Sequence, residues 1–237
     1  MFRLPVAGLL VAVLSVLVPL GSARALATET TAGVLHAAAD ATRGNPRIVC
    51  LGDSLTEGYG LAPELAWPEL VKTALRTDGW PQVEVVNAGV SGSTSASAVG
   101  RLKWQLREKP DVVVLALGAN DGLRGIAPEE TRRNLAAAID LAHGSGITVL
   151  LVGMKMPPNY GADYTAAFEA TFASLAAEKK VALVPFLLDG VAANADLNLP
   201  DSIHPNADGY AVVARTVLTH LKPLLAAATA SAPVAAP

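Results

Sequence analysis

Cysteine is almost missing from this sequence, and so is any excess of charge. One cysteine, Cys50, stands in 237 residues, so no intramolecular disulfide can form. A domain of this size can bury an adequate core without such staples. Lys and Arg total 18 against 21 Asp and Glu, a net charge of −3. That balance leaves no electrostatic footprint for nucleic acid. The short pairs Lys179-Lys180 and Arg132-Arg133 read as solvated helix faces. There is no H-E-x-x-H and no Cys/His cluster, so nothing supports a metal site. A P-loop is absent, and the first strand-like run is followed by G-D-S-L rather than G-x-G-x-x-G, so dinucleotide binding is unsupported. No internal repeat is visible.

Long apolar runs are also scarce. The longest, Val6 to Leu20, falls short of the roughly 20 residues that a spanning helix needs. With Arg3 before it and Ala23-Arg24-Ala25 after it, the run reads as a secretory signal over 1–25. Residues 26–46 are Ala/Thr-rich without a strong apolar period and read as a lead-in. Residues 224–237 read as an Ala/Pro-rich tail, expected to stay disordered. Between them, 47–223 is long enough for one α/β domain.

Within that span, short β-rich runs alternate with helix-period segments. Strands are expected at Arg47–Leu51, Val83–Asn87, Asp111–Leu117, Ile147–Val152 and Ala182–Phe186. Their near-continuous apolar character suggests a sheet buried on both faces. Helical stripes are Leu70, Val71, Ala74 and Leu75; Val99, Leu102 and Leu106; and Leu135, Ala138, Ile139 and Ala142, with Gly144 suited to that helix's C-terminal cap. Tyr164, Phe168, Phe172 and Leu175 mark another, read as core. Tyr210, Val213, Ala214, Val217 and Leu221 mark the last. Such alternation predicts a flavodoxin-like five-stranded parallel sheet with helices on both faces, in the order 2-1-3-4-5.

Ligands bind such sheets beyond the carboxyl ends of the strands. Reactive residues cluster there: Gly52-Asp53-Ser54-Leu55, then Asn87 to Gly92, then Gly118-Ala119-Asn120-Asp121, with Asp201-Ser202-Ile203-His204-Pro205 before the last helix. A serine hydroxyl needs an adjacent base, and the base needs a partner that fixes its tautomer. Of four histidines, only His204 has a carboxylate three residues before it inside a loop. His36 lies in the lead-in, His143 closes a helix and His220 sits on one. Ser54, Asp201 and His204 are therefore the expected triad. The expected oxyanion donors are the N–H groups of Ser54 and Gly89 and the amide of Asn120. Ser54 lacks the G-x-S-x-G surround of an α/β-hydrolase elbow.

At these blocks the sequence resembles the GDSL/SGNH hydrolase superfamily, with Ser54, Gly89, Asn120 and His204 matching the four naming residues in order. It resembles more narrowly the bacterial periplasmic branch that holds acyl-CoA thioesterase I, lysophospholipase L1 and arylesterase. The strings are GDSLTEGYG at 52–60, NAGVSGSTS at 87–95, GANDGLRG at 118–125, PPNYG at 157–161 and DSIHPNADGY at 201–210. Two features depart from the pattern: Gly118-Ala119 stands where relatives often carry two glycines, and the lead-in is long. The resemblance implies a three-layer α/β/α SGNH hydrolase fold, Ser-Asp-His catalysis through an acyl-enzyme, and neither metal nor cofactor. It also implies that the segment after Gly89 is mobile and touches the acyl chain.

The expected function is a serine esterase/thioesterase acting on small ester, thioester or lysophospholipid substrates. The acyl site is expected between the loops after strands two and four, with Ser91, Met154, Pro157 and Tyr160 as contacts. No nucleic acid and no obligate protein partner is expected. The signal implies export, to the periplasm or outside the cell. The alternative is a glycan O-acetyl esterase or acyltransferase built on the same site. A non-catalytic binding module is disfavoured by the complete set of nucleophile, base, orienter and donors.

Overall fold

Five runs of β-branched and aliphatic residues pair into one parallel sheet. In the computed structural model, which describes residues 45–231, the strands are β1 (Arg47–Gly52), β2 (Glu84–Gly89), β3 (Val112–Ala116), β4 (Thr148–Val152) and β5 (Ala182–Val184). Their order is β2-β1-β3-β4-β5, as the alternation predicts. The signal and most of the lead-in lie outside the described residues.

Register decides where the chemistry gathers. Gly52 of β1 stands opposite Gly89 of β2 and Ala116 of β3. These three neighbouring strands therefore end level, and the segments that follow them emerge on one rim. Val112–Ala116 is buried throughout, as are Ile48–Gly52. That is what near-continuous apolar strands require when helices cover both faces.

The helices are α1 (Ser54–Glu57), α2 (Trp67–Thr77), α3 (Ala98–Gln105), α4 (Ala119–Leu123), α5 (Pro128–Gly144), α6 (Ala162–Lys179) and α7 (Ala207–Ser231). α2 packs with α7, while α3 packs with α5 and α5 with α6. With the sheet between them, these sets make the three-layer α/β/α sandwich. The α6 stripe is core: Phe168 and Phe172 are fully buried, with ring centroids 5.4 Å apart in an edge-to-face pair.

Three local expectations change. At the end of α5 the left-handed residue is Gly146 (φ +74), two positions beyond Gly144, which stays helical. The α7 helix runs through Pro223 to Ser231, into the segment read as a tail. Leu225 is buried there and Leu224 packs on the core. Alanine explains this: its bias looks like low complexity, yet it is the best helix former. Finally, α1 and α4 have no counterpart in the sequence reading, because four or five residues carry no periodicity.

Candidate active site

The β1 strand ends at Gly52, and Asp53 caps α1, its Oδ1 accepting the Leu55 N–H at 3.0 Å. Ser54 is thus the first helical residue, with an N–H that the helix cannot use. Its Oγ lies 2.9 Å from His204 Nε2, across 150 residues of sequence. On the other side of the ring, His204 Nδ1 is 2.7 Å from Asp201 Oδ2. Asp201 Oδ1 accepts the N–H groups of Ile203 and His204 at 2.9 and 3.0 Å.

The loop that carries this pair is well tied. Leu199 N–H donates to the His204 carbonyl at 2.7 Å, and Ser202 N–H to the Leu199 carbonyl at 2.9 Å. Asn198 pairs with Pro205 in an isolated bridge. Ser202 takes a left-handed φ of +57° to close the turn. Burial pushes the Asp201 carboxyl up, but the N–H groups of His204 and Ile203 and the His204 ring outweigh it and hold it at about 2. Asp201 is therefore ionised at neutral pH and suited to orient the imidazole. Tyr59, which the sequence reading missed, lays its ring over His204 with centroids 4.6 Å apart.

The expected donor Gly89 is placed differently. It is the last residue of β2, and its N–H donates to Asn87 Oδ1 at 3.0 Å. Its missing side chain serves packing: a Cβ there would lie 2.1 Å from the Glu57 backbone nitrogen. Gly89 is a close-approach glycine, and its N–H is already committed. Three residues on, Gly92 has φ +75°, and its N–H takes no hydrogen bond among the described residues. Asn120, the second residue of α4, donates an amide hydrogen to the Ser93 carbonyl at 3.1 Å. So the amide of Asn120 and the segment around Gly92 stand together. The rim is braced by Arg101, which donates to the carbonyls of Gly52 (2.8 Å) and Ala88.

The match to known proteins covers this same stretch. The model of the GDSL-like Lipase/Acylhydrolase family matches residues 50–212, from the end of β1 into α7. The chain belongs to this family. It is 41% identical to esterase TesA of Pseudomonas aeruginosa over 179 residues, 75% of this chain and 89% of the relative. It is 37% identical to thioesterase 1/protease 1/lysophospholipase L1 of Escherichia coli K12 over 180 residues, 75% and 84% of the two chains. The crystal structure of TesA superposes with a TM-score of 0.72 at 40% identity, covering 75% of this chain and 99% of that one. The fold is accordingly that of the SGNH hydrolases.

Beside the family's serine and histidine blocks runs an apolar groove of about 440 Å³, walled by Leu55, Met154, Met156, Pro157, Leu188 and Ile203 among others. Met154 and Pro157, both expected as acyl contacts, lie on this wall. Ser91 and Tyr160 are not on the wall. Ser91 is hydrogen-bonded to Glu57. Tyr160 donates its hydroxyl to the Leu123 carbonyl at 3.1 Å and continues the aromatic stack of α6 through Tyr164. The groove thus opens between the loop after β4 and the stretch from Phe186 to Ile203, rather than against Ser91–Ser97.

Two further groups were not foreseen as special. Cys50 is fully buried in β1 and its thiol is pushed up by that burial, which makes it inert as a nucleophile. Asp53 is buried too, and its Oδ2 has no hydrogen-bond partner among the described residues. Burial raises this carboxyl to about 6, against the opposing pull of the Leu55 N–H, the nearby Asn120 amide and His204. Between pH 4 and 6 the unfolded chain has released this proton while the folded chain still holds it. The folded state then binds more protons, so stability falls as pH rises through that window and levels off above it.

We expect Asp53→Asn, which keeps the Oδ1 cap, to remove this slope. Relative to the variant, the wild type should lose about 2–3 kcal/mol between pH 4 and 6.5. The shift of Asp201 acts lower, between about 2 and 4, and does not overlap. Urea unfolding at pH 4.2 and 6.8 (a ~2.6-unit span) measures the difference. Parallel slopes in the two proteins would refute it.

Proposed function

We propose that this protein hydrolyses carboxylic esters and acyl thioesters through an acyl-enzyme on Ser54. The observation that carries the proposal is the relay of 2.9 Å and 2.7 Å from Ser54 Oγ through His204 to Asp201. His204 Nε2 takes the Ser54 proton as Oγ attacks the carbonyl carbon, and ionised Asp201 stabilises the imidazolium that results. The negative charge forms on the former carbonyl oxygen. Its donors are the Ser54 N–H at the start of α1, the Gly92 N–H in place of that of Gly89, and the side-chain amide of Asn120. His204 then gives its proton to the departing alcohol or thiol. Water, deprotonated by the same nitrogen, releases the acid and restores Ser54.

The groove supports acyl chains over acetyl groups alone. It is lined by two methionines, which adapt to different shapes. Each buried methylene contributes only about 0.8 kcal/mol, so selection among chain lengths should be shallow. Its size suits the single acyl chain of a lysophospholipid. Kinetics on p-nitrophenyl esters and acyl thioesters of graded length test this. Turnover of both classes, with short and medium chains accepted, is expected. Activity confined to acetyl groups on a polysaccharide would replace this reading with that of a glycan deacetylase.

The apolar run and small-residue site at 1–25 support export to the periplasm or beyond. Sequencing the N-terminus of the exported protein should give a start near Leu26. A full-length product held in the membrane would mean an anchor instead.

A further inference from the structure

The segment after β2, implied by family resemblance to be mobile, is tied down at four of five successive residues. Ser91 donates both its N–H (2.7 Å) and its hydroxyl to a single oxygen, Glu57 Oε2. The Gly92 carbonyl accepts from Arg124 at 2.9 Å, and the Ser93 carbonyl from Asn120 at 3.1 Å. Ser95 donates its N–H (2.8 Å) and hydroxyl to the buried carboxylate of Asp121. Three of these anchors come from α4 and the residue after it. Glu57 alone comes from the opposite side, from the end of α1, whose first residue is Ser54.

We propose that Glu57 is a positioning residue for the oxyanion hole, fixing the Gly92 N–H relative to Ser54 by holding Ser91. The proposal rests on the reading of Ser54 and Gly92 given above. The stem of Glu57 is itself fixed. Its N–H donates to the Asp53 carbonyl at 2.9 Å, its carbonyl accepts from Asn87 Nδ2 at 3.3 Å, and Gly89 lies bare against its backbone. Ser54 and Glu57 are three residues apart on one helical turn, so the carboxylate moves with the nucleophile.

The peptide that presents the Gly92 N–H begins at the Ser91 carbonyl carbon. Glu57 holds the residue before that peptide, and Arg124 the residue after it, with Asn120 holding Ser93 beyond. With both ends held, the N–H has one direction. With Ser91 released, rotation about its backbone can turn the N–H away. A donor contributes to catalysis only when it is already aimed at the charge that develops, and a misplacement of about 1 Å can cost up to ~10²-fold in rate. Glu57 touches no reacting atom, and it is exposed, so its pair with Ser91 adds little to folding stability.

The test compares wild type, Glu57→Ala and Glu57→Gln by kcat and KM on p-nitrophenyl butyrate, with melting temperatures alongside. Glu57→Ala should lower kcat about 10-fold, below the ~10²–10³-fold loss of a donor outright. KM should stay within about twofold and melting should not change. Glu57→Gln keeps an oxygen that can accept both donors and should recover most of kcat. A kcat for Glu57→Ala within twofold of wild type, a loss carried by KM alone, or equal loss in both variants overturns the proposal. Labelling with a fluorophosphonate separates this from the underlying reading. If Ser54 is labelled in wild type while Glu57→Ala keeps its kcat, only the positioning role fails. If an active wild type is not labelled at Ser54, the reading beneath it fails.

Discussion

Ser54→Ala should lower kcat on any ester by at least ~10⁴-fold while the protein folds as before, because the serine triad works as a unit and loses most of its advantage with any member. Three features make the effect on rate large and the effect on folding small. The hydroxyl is the only group of Ser54 that meets His204 Nε2. The residue sits at the mouth of the sheet rather than within the core. Its backbone role at the start of α1 is filled equally well by alanine, whose helix propensity is higher. The cap is unaffected, because Asp53 supplies it. A stability change within about 1 kcal/mol is therefore expected, read from thermal unfolding of the same sample. Retention of more than about a tenth of wild-type turnover would remove Ser54 from the role of nucleophile.

Asn120→Ala should cost roughly 10²–10³-fold in kcat with a much smaller change in KM, as loss of one oxyanion donor does. The amide is held in place. One hydrogen holds the Ser93 carbonyl at 3.1 Å, which fixes the direction of the other. Removing it takes away a donor and one tether of the Gly92 segment together, so the upper end of the range is expected. Neighbouring Asp121 keeps its bonds to Ser95 and Thr131, so α4 and the segment should stay folded. Steady-state kinetics on one aryl ester decide the matter. An effect confined to KM would make Asn120 a substrate-binding residue instead.

Where placement depends on position along a strand, the sequence carried it well. Residues after β1 and β3 reach the rim because those strands end level, and parallel-sheet logic anticipates that. The Asp-x-x-His spacing likewise implies carboxylate and imidazole on one loop turn. What it could not resolve was how the two glycines near the end of β2 are placed. Gly89 and Gly92 differ only in that β2 continues two residues beyond Asn87, which puts Gly89 in the ladder and leaves Gly92 in the turn. Tyr160 was misplaced for a similar reason. It belongs by direction to the aromatic stack of α6, and sequence spacing says which loop it is on but not which way it faces. Asp53 and Glu57 were read only as parts of a motif string. An aspartate just before a strand-end serine is a helix-capping signal that could have been used. Glu57's partner, 34 residues away, leaves no trace in a single sequence. The Ala-rich end of α7 shows the opposite error, since composition suggested disorder where propensity and the burial of Leu225 favour helix.

The most direct measurement is the site of covalent modification by a fluorophosphonate, read by mass spectrometry of the digested protein. One adduct is expected, on the peptide that carries Ser54. Esterase activity should fall in proportion to labelling, and His204→Ala should label far more slowly. An adduct on another residue, or full esterase activity in protein that carries the label at Ser54, would contradict it.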